Sequence, residues 1–244
     1  MNSGWTIFSS EKTTYFGDVI SKPGFSIKDS YQTNIPKTIL AALVENGVYK
    51  NPYFGSNLDK IPVEQFQHPW WYRKEFSINE TGRNINYKLT LEGVNYKADL
   101  WLNGRKVEGK NKIEGPFGIF NFDVRDYLIK GNNIIAIEVF PPEKGDLTIG
   151  FVDWNPASPD KNMGLWRGIT LKKTNAVSLD EIFIKSKVNI KTLKEAEITI
   201  SGKLTNLSNE KVNVEVHGSF IKDKNFSKSF LLEAGAQHDF CMMI

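Results

Sequence analysis

The chain has 244 residues, of which 40% are hydrophobic and 24% charged, so it can bury a core and is not an intrinsically disordered protein. Its net charge of +3, from 31 basic and 28 acidic residues, is too small to predict a nucleic-acid partner. Because Cys241 is the 1 cysteine, an internal disulfide and a cysteine-based zinc site are excluded. No apolar run approaches the ~20 residues of a membrane-spanning helix, so no membrane partner is predicted.

One helix is predicted near the front of the chain. Leu40, Leu43 and Val44 have the spacing of an amphipathic helix. Pro36 lies near the start of this segment and Gly47 just past its end, a placement typical of helix boundaries. Long helices alternating with strands are not indicated elsewhere, which argues against a Rossmann fold or a (β/α)₈ barrel.

The rest of the chain has the patterns of β-strands. Apolar residues occupy alternate positions over 85–91 and again over 212–220, as in half-buried strands, whereas 134–140 is apolar enough for a fully buried one. Asn103 and Gly104 predict a type I′ hairpin turn, because both residues tolerate positive φ. Many short strands separated by turns predict an all-β protein built from β-sandwiches.

A domain boundary is predicted near residue 173. Aromatic residues and Gly/Pro loops are frequent before it, whereas the later sequence is rich in Lys, Val, Ile and Glu and has no Trp. We therefore predict a first sandwich over 1–173 and a second over 174–244. An immunoglobulin-like sandwich usually needs ~100 residues, so the second domain is predicted to be truncated.

The sequence contains few signs of catalytic chemistry. It lacks the glycine-rich phosphate loops and the nucleophile elbow, and its three histidines are far apart, so no cofactor, metal or catalytic residue is predicted. Two Asn-Glu pairs, at 79–80 and 209–210, are of interest because glycoside hydrolysis needs two carboxylates. Both pairs lie in turn sequences, which favours solvated side chains over catalytic ones.

The most distinctive segment is the loop around 150–167. It carries Asp153, Trp154 and Asn155 near its start and Trp166 and Arg167 near its end. An aromatic face can pack on a pyranose while Asp and Asn bind paired hydroxyls, so this composition suits a sugar site. The alternative is that the two Trp side chains close the end of the sandwich and Asp153 caps a turn. The residues alone leave both interpretations open.

Several motifs, taken in order, resemble the N-terminal region of glycoside hydrolase family 2. They include Pro69-Trp70-Trp71-Tyr72-Arg73 and Asn51-Pro52-Tyr53-Phe54-Gly55, and the full set covers residues 36–43, 51–58, 69–76, 92–104, 131–137 and 153–167. Within that family, the loop looks most like the branch of exo-β-D-glucosaminidases and mannosylglycoprotein endo-β-mannosidases. Ordinary β-mannosidases tend to have Trp-Asp-Trp-Gly-Pro there, whereas this chain has Val152 in place of the first Trp and Asn155 in place of the Gly.

The resemblance implies a galactose-binding-like jelly roll, then an immunoglobulin-like domain, then a (β/α)₈ barrel with both catalytic glutamates. A barrel needs ~250 residues, so these 244 residues are expected to lack the catalytic groups of a retaining glycosidase. The implied partners are a β-linked mannoside or glucosaminide and the downstream barrel of the same polypeptide. The implied location is periplasmic or secreted, although the N-terminus lacks the features of a signal peptide.

The resemblance also implies roles for residues of the loop. Asp153 and Trp154, with Asn155, correspond to a segment that reaches toward the barrel mouth and helps to bind the terminal sugar. Trp166 and Arg167 are expected to fix the loop and its interface with the barrel. A second function remains open, namely a freestanding carbohydrate-binding or adhesive double β-sandwich without enzymatic activity.

Overall fold

The computed structural model describes residues 1–150, 154–220 and 224–243. The chain divides into two compact units, the first formed by Met1–Thr81 with Tyr87–Lys172 and the second by Gly82–Asn86 with Lys173–Ile244. The short segment Gly82–Asn86 therefore groups with the second unit, whereas the sequence analysis placed it in the first domain. In the described part of the chain, no helix is long and apolar enough to span a membrane.

Strands dominate both units. In chain order the strands are β1 (Trp5–Ser9), β2 (Tyr31–Thr33), β3 (Lys37–Thr38), β4 (Trp70–Ile78), β5 (Asn86–Leu91), β6 (Lys97–Leu102), β7 (Arg105–Glu108), β8 (Phe120–Asp123), β9 (Gly131–Phe140), β10 (Gly164–Leu165), β11 (Ile169–Thr174), β12 (Val177–Val188), β13 (Ala196–Asn206), β14 (Val212–Phe220), β15 (Lys224–Leu232) and β16 (Gln237–Met243). The α-helices of the described residues are α1 (Gly17–Ile20) and α2 (Ile39–Glu45), and single 3₁₀ turns occur at Ser10–Lys12, Leu58–Lys60, Glu64–Phe66 and Arg125–Tyr127. The predicted all-β fold class is confirmed.

Helix α2 is the helix that the sequence predicts. The Thr38 hydroxyl accepts a hydrogen bond from the Ala41 N–H at 3.2 Å and so caps the first turn. Gly47, just past the C-cap Asn46, has φ of +74°, a conformation that glycine adopts without strain. The four-residue helix α1 was not predicted, and one turn is too short to show a helical period.

The first unit is built on a six-stranded sheet in the order β2-β1-β4-β9-β6-β7 and a three-stranded sheet in the order β11-β5-β8. One buried row crosses four strands of the larger sheet in register: Ile7 opposite Tyr72, Tyr72 opposite Ile137, and Ile137 opposite Leu100. All four side chains are fully buried. Tyr72 thus belongs to the core of the sheet, and its hydroxyl extends from that core toward the candidate loop.

The opposite face of the same sheet is covered by the segment between β1 and β2. Phe8 and Trp71 on this face form a buried cluster with Ile20 of α1, and Phe25 packs against it. The predicted turn at Asn103 and Gly104 joins β6 to β7, with φ values of +51° and +82°, so its left-handed conformation is confirmed.

The second unit contains a three-stranded sheet, β12-β13-β16, and the antiparallel pair β14-β15. Its core consists of Leu204, Val216, Phe230, Leu232, Phe240 and Met242. The alternation predicted over β14 is present: Val216 is buried, whereas its neighbours Glu215 and His217 are exposed. His217 therefore lies on the polar face of its strand.

Candidate functional site

The described part of the candidate loop, 150–167, carries an exposed aromatic residue near its start. Trp154 is 82% exposed, and the adjacent Asn155 and Pro156 are exposed as well. Asp153, which the sequence analysis placed in the same sugar-contacting group, lies outside the described residues. The part of the predicted group that the structure describes is therefore the pair Trp154 and Asn155, with an open indole face beside an amide.

The buried side chain of Asp160 holds the loop in place through hydrogen bonds. It is fully buried and accepts hydrogen bonds from the Leu40 N–H at 2.8 Å, the Ser158 hydroxyl at 2.6 Å and the Asn162 N–H at 2.9 Å. The Leu40 N–H is in the first turn of α2, where free backbone N–H groups favour a negative charge. Three donors compensate for burial of the carboxylate, so Asp160 ties both the turn and the helix to one point.

Asn95 is a second buried anchor for the same loop. Its amide nitrogen donates to the Lys161 carbonyl at 3.0 Å and the Asn162 carbonyl at 2.9 Å, and its amide oxygen accepts from the Thr148 hydroxyl at 2.8 Å. Lys161 and Asn162 have φ of +49° and +58°, in the left-handed region that costs non-glycine residues free energy. The bonds to Asn95 offset that strain and hold the two carbonyls in place.

The chain then enters β10 through Gly164, a position closed to any side chain. Gly164 has φ of +143°, and a Cβ there would lie 2.7 Å from the Tyr72 hydroxyl and 2.9 Å from the Lys37 carbonyl oxygen. The Tyr72 hydroxyl donates to the Lys37 carbonyl at 3.3 Å and accepts from the Leu165 N–H at 3.4 Å. Burial raises the pKa of Tyr72 well above its ordinary value, so the phenol stays protonated as a donor.

Trp166 fastens the far end of the loop to a neighbouring turn. Its indole N–H donates to the Pro116 carbonyl at 2.7 Å, and its ring meets Phe117 edge-on with centroids 5.5 Å apart. The Arg167 guanidinium lies 4.8 Å from the Trp166 ring centroid. Gly93 lets this ring approach, because a Cβ at that position would lie 2.9 Å from the indole nitrogen.

The arrangement can stack and position a ligand, and it offers no assembled acid–base pair among the described side chains. Within those same residues, no group of three or more His, Cys, Asp or Glu could hold a metal ion. Sequence patterns pointed to Trp154, Asn155, Trp166 and Arg167, whereas the roles of Asp160, Asn95 and Tyr72 became visible only in the structure. The Ser-Pro-Asp turn at 158–160 was the available signal for Asp160, whereas Asn95 and Tyr72 act through partners far along the chain.

These features define a galactose-binding-like β domain with an exposed aromatic loop. Residues 5–167 match the family described as the glycosyl hydrolase 2 galactose-binding domain-like family. The chain belongs to this family. The resemblance that the motifs carry is therefore confirmed.

The relatives agree with the predicted branch. The chain is 32% identical over 232 residues to the exo-β-D-glucosaminidase of Amycolatopsis orientalis, which covers 95% of this chain and 22% of the relative. It is 25% identical to the mannosylglycoprotein endo-β-mannosidase of Lilium longiflorum, over 76% of this chain and 22% of that protein. The crystal structure of the exo-chitosanase of Amycolatopsis orientalis superposes with a TM-score of 0.90 at 30% identity, covering 99% of this chain and 28% of that one. The chain thus spans about a quarter of the length of the relatives it matches.

Proposed function

We propose that this chain is the non-catalytic N-terminal part of a retaining β-glycosidase that hydrolyses O-glycosidic bonds in carbohydrates. In this proposal, the remainder of the polypeptide supplies a catalytic barrel with both carboxylates, and the present residues form a scaffold for it. The loop 150–167 contributes to the sugar subsite, with the Trp154 ring stacked on the sugar and Asp153 and Asn155 binding hydroxyls. A terminal β-glucosaminide is the proposed substrate, because five of the relatives are named exo-β-D-glucosaminidases; a β-mannoside is the second choice.

The observation that carries this proposal is the contrast between Trp154 and its support. The indole is 82% exposed, although an apolar ring of this size normally gains free energy by burial. A few residues further on, Asp160 and Asn95 hold the loop through five hydrogen bonds between 2.6 and 3.0 Å. An exposed ring on a rigid base suits stacking against a pyranose, because little conformational entropy is lost on binding.

The loop backbone supports the same conclusion. Pro156 and Pro159 limit the conformations between Trp154 and the buried Asp160. Lys161 and Asn162 retain strained left-handed conformations, each with a cost of about 1 kcal/mol or more. Strain that the surroundings hold in place is common where a binding segment must keep one shape. Trp166 and Arg167 are proposed to maintain that shape and to face the barrel.

The test is Trp154→Ala in the full-length polypeptide, assayed on an aryl β-glucosaminide and an aryl β-mannoside. Loss of stacking is expected to lower kcat/KM about tenfold. The Tm should stay unchanged, because the ring makes little contact with the core. Tyr53→Ala is the matched control, since Tyr53 is 93% exposed but belongs to a different loop.

An unchanged kcat/KM in Trp154→Ala, or an equal loss in Tyr53→Ala, would contradict the proposal. The 244-residue chain alone should hydrolyse neither substrate. Turnover by the isolated chain would show that it contains a catalytic site of its own. Tight sugar binding by the isolated chain through Trp154 would instead favour the freestanding carbohydrate-binding module.

A further inference from the structure

A groove lies between two stretches of the segment that joins β1 to β2. It has a volume of about 320 Å³. Its walls come from residues 11–15 on one side and 25–27 on the other, all within the first unit. This volume is at the lower end of the ~300–1,000 Å³ range of small-molecule sites.

The groove contains an exposed tyrosine, Tyr15, which is connected to the core through a series of packed aromatic rings. Phe8 is fully buried in the sheet, Phe25 packs on it with centroids 5.8 Å apart, and Tyr15 meets Phe25 edge-on at 6.2 Å and 88°. Tyr15 itself is 57% exposed. Its backbone N–H donates to the Thr13 hydroxyl at 3.1 Å, which fixes the turn that carries the ring. The ring of Tyr15 therefore packs on the half-buried Phe25, which in turn packs on the buried Phe8, so its position is restricted before any ligand binds.

The remaining lining is polar and nearly balanced in charge. Thr14 and Ser26 offer exposed hydroxyls, and Glu11 and Lys12 contribute one charge of each sign. The Glu11 carboxylate lies 3.2 Å from the imidazole of His68. A balanced rim gives no preference for a phosphate or another strong anion. Hydroxyl and carboxylate groups beside an aromatic ring instead match a polyhydroxylated ring with one apolar face.

We propose that this groove binds a pyranose unit of a β-linked oligosaccharide, with the ring of Tyr15 stacked on the sugar and the rim residues bonded to its hydroxyls. The choice of glucosamine units as the ligand rests on the proposed function, whereas the stacking geometry does not. The groove would hold a polymeric substrate by a second contact, in addition to the loop 150–167.

The experiment measures binding of the 244-residue chain to a glucosamine tetramer and to a glucose tetramer, by NMR titration and calorimetry. Binding with a Kd of about 1 mM is expected for the glucosamine tetramer. Tyr15→Ala should weaken it about tenfold and Tyr15→Phe should preserve it, because the stacked face remains. Tyr53→Ala is the control for an exposed tyrosine outside the groove. Ser26→Tyr should fill the groove and block binding while leaving Tyr15 in place.

The variants distinguish sugar binding in the groove from sugar binding at the loop. Binding of either tetramer that is weakened by Tyr15→Ala supports the proposal. If the glucosamine tetramer binds and the glucose tetramer does not, the amino group contributes to binding. Absence of binding of both tetramers, or binding that Tyr15→Ala and Ser26→Tyr leave unchanged, overturns the proposal. Binding that only Trp154→Ala removes assigns the sugar to the loop and also overturns it. Because turnover of a small aryl glycoside tests the loop separately, failure of the groove leaves the proposed function intact.

Discussion

The carboxylate of Asp160 accepts a hydrogen bond from the backbone N–H of Leu40 at 2.8 Å, although 120 positions separate the two residues. This single bond connects the first turn of α2 to the turn that follows Trp154. It explains why a loop rich in proline and polar residues can hold a defined conformation at the surface. The stability of the first unit and the geometry of the loop are therefore expected to change together.

Replacement of Asp160 by alanine is expected to destabilise the chain by about 2–4 kcal/mol. The change leaves the Leu40 N–H without its acceptor in a buried position, and the donors of Ser158 and Asn162 without theirs in partly buried ones. Urea unfolding of the purified chain measures the loss. Asp160→Asn, which keeps an acceptor oxygen, should lose less. The exposed Asp59 supplies the control, and a loss in Asp59→Ala equal to that in Asp160→Ala would show that the anchor has no special role.

Gly164→Ala is expected to destabilise the chain by about 2–4 kcal/mol. The added Cβ would lie 2.7 Å from the Tyr72 hydroxyl and 2.9 Å from the Lys37 carbonyl oxygen, and φ of +143° is unfavourable for alanine. Gly150→Ala is the matched control, because nothing lies within 4 Å of a Cβ there. Thermal unfolding distinguishes the two variants. Similar Tm values for both would mean that β10 can shift away from Tyr72 without loss.

The raised pKa of Glu138 predicts that the stability of the chain depends on pH. Glu138 lies opposite Trp71 on β4 and Asp99 on β6, and burial, followed by the charge of Asp99, raises its pKa from 4.5 to about 7, against the opposing effect of Lys110 and Lys106. Because the folded state keeps the proton to higher pH than the unfolded state, stability should fall as pH rises from about 4.5 to about 7. Above that range the full penalty remains.

The variant Glu138→Gln removes this ionisation. It should match the parent chain near pH 4, below the ordinary pKa of 4.5, and exceed its stability at pH 8 by about 1–2 kcal/mol, less than the whole shift because the side chain is partly solvated. Glu75→Gln is the contrasting control, since a hydrogen bond from Arg73 lowers the pKa of Glu75 and the carboxylate is favourable. Equal stability of Glu138→Gln and the parent at both pH values would show that the pKa of Glu138 is not raised in the folded state.

Features set by neighbouring residues could be predicted from the sequence. The helix between Pro36 and Gly47 and the turn at Asn103 and Gly104 depend on apolar spacing and on which residues tolerate positive φ, and both are present. Period-two alternation identified the half-buried strands for the same reason. Helix α1 was missed, because its four residues form one turn against the sheet and carry no periodic pattern of their own.

The candidate site was predictable only in part. Composition singled out Trp154 and Trp166, because two indoles in a loop rich in Pro and Gly are unusual. Composition does not predict that Trp154 is exposed whereas the Trp166 indole N–H donates a hydrogen bond to the Pro116 carbonyl. That difference depends on a turn 50 residues earlier in the chain. It also could not identify Asp160 and Asn95, whose types are ordinary for loops and whose importance comes from their burial.

The sequence by itself determined the class of fold, the helix α2 and the family, because these follow from local periodicity, turn chemistry and ordered motifs. The tertiary structure decided which polar side chains became buried anchors, which aromatic rings stayed exposed, and which segments lie together at one end of the sheet. Those outcomes depend on contacts between residues such as Asn95 and Lys161, separated by 66 positions. Only the folded chain brings such pairs within hydrogen-bonding distance, and only burial there makes their loss costly.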